Sequence, residues 1–156
     1  MRASTLLLFG FLATGAATDT LGQGVSAVVA QDYNRAEPLL KKALSEDPNL
    51  REGHYNLGVV YRETNRFEAA VSEFKTALPM FDESDRPNRE KCLYGIALAE
   101  DGAQNFERAA DAWNGYIAYA RRFAGNEAVV QIAQQNRAQD LRLANIPSNP
   151  SNKASR

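Results

Sequence analysis

The chain repeats itself, first at a spacing of 34 residues and then at 39, and nothing else in it constrains the fold as strongly. A shift of 34 sets Tyr33 on Phe67, Ala36 on Ala70, Leu40 on Phe74, Ala43 on Ala77 and Leu44 on Leu78. A further shift of 39 sets Phe67 on Phe106, Ala70 on Ala109, Phe74 on Trp113, Ala77 on Tyr116 and Leu78 on Ile117. Self-similarity at this period marks arrays of helix–turn–helix units. Within each copy the matched residues fall at i, i+3, i+7, i+10 and i+11, one face of an α-helix. Bulky side chains and alanines alternate along that face, so a neighbouring helix can come close at Ala and lock around the ring.

Each of these helices requires a leading partner. In the middle copy His54, Leu57, Gly58 and Tyr61 recur at i, i+3, i+4 and i+7. Gly58 costs about 1 kcal/mol of helix propensity relative to Ala, which is tolerable where a crossing helix leaves no room for a Cβ. In the third copy a helix from about Pro87 to Asp101 puts Lys91, Tyr94, Gly95 and Leu98 in the equivalent places. The turns are Glu63-Thr64-Asn65-Arg66 and Gly102-Ala103-Gln104-Asn105. The loops between copies, 45–49 and 82–87, carry Pro48 and Pro87 where a new helix can start.

Tyr55-Asn56-Leu57-Gly58, with Tyr61, Ala70, Phe74 and Ala77 at their spacings, resembles a tetratricopeptide repeat. The resemblance takes in 51–84 and 87–124 as repeats and 31–50 as a partial one, within a helical domain spanning 31–145. It implies an all-α fold, a short right-handed solenoid of antiparallel helix hairpins. Two departures stand out. Asp82 occupies the place where the family usually closes with Pro, while Pro79 lies earlier and is expected to fray that helix end. For its leading helix the first copy offers only Leu21-Gly22 or Gly24. Beyond Gly125, Asn126 is placed to cap a helix from Glu127 to about Asn145, whose sparse apolar residues suit a C-terminal capping helix. Residues 146–156, rich in Ser, Asn and Pro, read as a disordered tail.

The N-terminus carries a different signal. Met1-Arg2 precedes the apolar run Leu6–Ala13, and small residues follow, the pattern of a secretory signal peptide over 1–30. Small residues at −3 and −1 allow cleavage after Ala17, Ala27 or Ala30. The last is favoured because Gln31-Asp32 opens a polar, helix-competent segment. A retained anchor is the rival reading, although Asp19 interrupts the stretch before the roughly 20 apolar residues that a span requires. The expected location is therefore periplasmic or otherwise extracytoplasmic, and membrane-associated if the leader is retained.

Composition narrows the chemistry. Lys and Arg number 18 against 19 Asp and Glu, a formal net charge of −1 that provides no general field for nucleic acid. One Cys and one His exclude an intramolecular disulfide and a Cys/His zinc site. His54 and Cys92 are the one candidate thiol–imidazole pair, a remote enzymatic alternative. Their simpler reading is a packing residue and a small buried apolar one. Asp82, Glu83 and Asp85 lack the ligand spacing of a calcium loop and read as solvated. Arg121-Arg122 fit the favourable charge at a helix C-terminus. No cofactor, metal or small-molecule substrate is expected.

Stacked hairpins curve into a concave surface lined by the leading helices, a surface suited to peptides. The residues flanking the packing stripe are then the candidates for contact with a protein or peptide partner: Glu52, Tyr55, Asn56, Val59 and Arg62 in the middle copy, and Arg89, Cys92 and Ile96 in the third. Some family members grip a C-terminal carboxylate with basic and Asn residues spread over three repeats. Asn56 and Arg89 match single places of that set, but the first copy has no matching Lys or Asn, so the specificity is not implied. The expected role is a non-catalytic adaptor in an envelope-associated assembly. The alternative is a structural subunit of a larger complex, docked by a lateral face or by the retained N-terminal helix.

Overall fold

In the computed structural model residues 6–145 are described, with side chains from Gly15 onward; the expected tail at 146–156 lies outside them. Seven α-helices follow one another among the described residues: α1 (Leu6–Val29), α2 (Tyr33–Glu46), α3 (Arg51–Glu63), α4 (Phe67–Ala77), α5 (Arg86–Gly102), α6 (Phe106–Ala120) and α7 (Glu127–Ala144). They stack as hairpins α1–α2, α3–α4 and α5–α6, closed by α7 against α6. No described helix is long and apolar enough to cross a membrane.

The repeated stripe forms the core. Ala36, Leu40, Ala43, Ala70, Phe74, Ala77, Ala109 and Trp113 are all buried. The three hairpin turns are geometrically alike. Gln31, Asn65 and Gln104 each take a left-handed φ of 58°, 58° and 59°. In each turn the next residue's N–H donates to the carbonyl five positions back: Asp32 to Ala27, Arg66 to Tyr61 and Asn105 to Glu100. Closing a helix in this way satisfies carbonyls that would otherwise be left bare.

The first hairpin is built like the second. Gly24 meets Leu40 as Gly58 meets Phe74, since a Cβ on either glycine would come within 2.8 Å of the facing side chain. Ala27 is buried with Ala36, Leu40, Leu57 and Val60, and Leu21 and Val28 pack beside them. Residues that the sequence presents only as weak candidates thus supply a full leading helix.

Two local details differ from expectation. Asn126 places no side-chain cap on α7. Its amide nitrogen donates instead to Glu90 Oε1 and to the Ala120 carbonyl, while its oxygen accepts from Arg86. The α5 helix begins with Asp85 as its cap and Pro87 in its first turn, but α3 starts at Arg51, beyond Pro48. Pro79 sits in a short 3₁₀ turn, Leu78–Met80, immediately after α4 ends.

Candidate functional site

On α3, Glu52 is exposed, and Asn56 and Arg62 are half-buried. Their polar groups are engaged within the helix: Asn56 Nδ2 donates to the Glu52 carbonyl at 2.7 Å, and Arg62 pairs with Glu63 at 2.6 Å. Tyr55 tilts against Phe74 with ring centroids 5.7 Å apart, and burial raises its hydroxyl pKa. Val59 packs half-buried on the same core.

The candidates on α5 require correction. Cys92 is fully buried among Ala77, Phe81, Tyr55 and Leu78, and Ile96 is only 7% exposed, beside Phe74 and Ala99. Both lie in the α4–α5 contact between repeats, because this flank of α5 faces the preceding hairpin. Arg89 serves the fold. Its Nη1 donates to the carbonyls of Leu78 and Phe81 at 3.2 and 2.8 Å, in the Pro79-containing turn that follows α4, and its Nη2 pairs with Glu83 at 3.2 Å.

The thiol–imidazole pair is not assembled. Burial pushes the Cys92 thiol up to about 12, where it holds its proton at any physiological pH. His54 uses both ring nitrogens elsewhere, Nδ1 at 2.7 Å from Glu73 Oε2 and Nε2 at 3.0 Å from the Pro48 carbonyl. Asp85 caps α5, while Asp82 and Glu83 stay exposed. No cluster of His, Cys, Asp or Glu among the described residues could hold a metal ion.

A cleft of about 470 Å³ opens instead between α5 and α7. Pro87, Glu90, Lys91 and Tyr94 form one wall, Val129, Ile132 and Ala133 the other, and Tyr116 of α6 the floor. Tyr94 meets Trp113 and Tyr116 edge-on, with centroids 5.4 and 5.7 Å away, so the floor is a rigid aromatic cluster. Tyr94, Val129 and Ile132 are 38%, 40% and 54% exposed, and only two other large apolar side chains among the described residues, Val29 and Leu141, are as open. Asn126, bridging Arg86, Glu90 and the Ala120 carbonyl, ties α5 to the start of α7. The α7 sequence holds a sign of this cleft. Val130 and Ala133 are one apolar pair at i, i+3, and Val129 and Ile132 are a second that a capping helix does not need for its own packing.

Repeated hairpins with common turns, glycine-to-ring contacts and a terminal helix define a helical-repeat protein. The comparisons say which repeat fold it is. Residues 27–89 match the sequence model of the tetratricopeptide repeat family. The solved tetratricopeptide domain of Arabidopsis OM64 superimposes with a TM-score of 0.66 at 13% identity, covering 81% of this chain and 98% of that one. The TPR2B domain of yeast Sti1, solved in a complex with pHsp70, gives 0.66 at 13% identity over 80% and 97%. No curated protein matches the sequence. This chain thus has the fold of a tetratricopeptide-repeat domain, and its residues 27–89 resemble that family in sequence.

Proposed function

We propose that this protein is a non-catalytic interaction module that holds an apolar segment of another protein in the α5–α7 cleft, within an extracytoplasmic, envelope-associated assembly. The observation that carries the binding reading is the exposure of Tyr94, Val129 and Ile132 around a floor of packed aromatic rings. Such a surface gains by leaving water, and its rigid floor costs little entropy to order. The yeast Sti1 structure, a complex of the same fold with pHsp70, lends support by analogy. Export is supported by the leader-like Met1-Arg2, the apolar run Leu6–Ala13 and the small residues after it.

The test is recovery of partners by the tagged full chain from an envelope fraction, identified by mass spectrometry, with Val129→Glu/Ile132→Glu beside it. Both side chains are exposed, so the double variant retains its fold. We expect the variant to lose the partner that the native chain recovers. Retention by this variant together with loss by Glu52→Lys/Arg62→Glu would move the site to α3. Retention by both variants would favour a structural subunit docked by another face.

A further inference from the structure

We infer that the leader is cut after Ala17, so that the mature chain begins at Thr18 and keeps a complete first hairpin. This rests on the export reading above and decides what export leaves behind.

The register of the repeat carries the argument. Shifted back by 34 positions, α3 (Arg51–Glu63) falls on 17–29, so the repeat's own leading helix begins at the junction that Gly15-Ala16-Ala17 offers to a peptidase. The helix continues N-terminally of that junction, but the hairpin pattern does not require it to. A cut after Ala17 gives up one buried residue, Ala17 itself, and keeps buried Thr20 and every contact from Leu21 onward. Gly24 lies under Leu40, Ala27 is buried with Leu40 and Leu57, and Asp32 closes the turn on the Ala27 carbonyl. Cleavage after Ala30 would strip these contacts and leave the apolar face of α2 in water, and cleavage after Ala27 would sever the turn from its helix. A start at Thr18 also leaves Thr18-Asp19-Thr20 at the new terminus, residue types that cap a helix and suit its positive end. The helical state of 15–17 is no obstacle, since leaders are cut before the chain folds.

The experiment expresses the full chain in an export-competent bacterial host, recovers it from the periplasm and measures intact mass. A mass beginning at Thr18 supports the inference. A mass beginning at Val28 or Gln31 overturns it while leaving export standing. An uncleaved chain confined to the cytoplasm overturns the export reading itself, and an uncleaved chain outside the cytoplasm overturns the cut. Two variants make the result independent of one cleavage event. Ala30→Leu, at an exposed position, should be processed normally, and the mature product should carry the added mass of the larger side chain. Gly24→Val should yield a mature product with a Tm several degrees lower than the native one. If that product matches the native mass and Tm, residue 24 is absent from it and the inference fails.

Discussion

Gly58 and Gly95 close on opposite edges of one ring, that of Phe74. A Cβ on Gly58 would lie 2.8 Å from Cδ1 and Cε1, and one on Gly95 would lie 2.8 Å from Cε2 and Cζ. The ring on α4 thus joins its own hairpin, through α3, to the next, through α5. Phe74 is fully buried, so nothing else can fill the space it occupies.

Truncating this ring opens a cavity at the joint between repeats. We expect Phe74→Ala to cost about 3–5 kcal/mol, as large-to-small core substitutions do, measured by urea unfolding. A loss below about 1 kcal/mol would mean the joint is held elsewhere.

Cys92 should be inert in the native chain. Its thiol is pushed to about 12 by burial, so at pH 8 almost none is thiolate, the species that reacts. A thiol-specific reagent should label the protein only as urea unfolds it. Rapid labelling of the native chain would contradict the packing of Cys92 against Phe81.

Asp140 of α7 should make stability fall as pH rises. It is 2% exposed and lies beside Asp101. Burial first, and the Asp101 charge second, push its carboxyl from 3.8 to about 7. Between those values the folded chain holds a proton that the unfolded chain has released, so stability declines through that window and levels off above it. Asp140→Asn should therefore stabilise at pH 8 by about 1–3 kcal/mol, the scale of relieving a buried unpaired group. The gain should shrink toward pH 4 in melting curves across that range; a gain that does not depend on pH would refute the shift.

Glu37 behaves in the opposite sense. Hydrogen bonds from Arg66 first and Lys41 second hold its carboxyl down to about 2, from an ordinary 4.5. Its contribution is present above 4.5 and fades as pH falls toward 2. Because the Arg66–Glu37 pair lies at the surface, Glu37→Gln should cost no more than about 1 kcal/mol at pH 7. Titration of both chains should bring their stabilities together near pH 2.

Much of this architecture is legible in the sequence because helical packing writes itself locally. The i, i+3, i+7 stripe from Tyr33 to Leu78 and again from Phe106 to Ile117 dictates which face each trailing helix buries. Gly58 announces a close crossing before the ring beneath it is known. The sequence alone thus determines hairpins, their order and the identity of the plugs. It does not determine which flank of a leading helix stays open, because that depends on how far each hairpin turns relative to the last. The seating of α5 against α4 buried Cys92 and Ile96, and the open end of α4 drew Arg89 to its carbonyls. The same packing made a cleft of Tyr94, Val129 and Ile132, residues far apart in the chain that only the stacking of α7 beside α5 brings together.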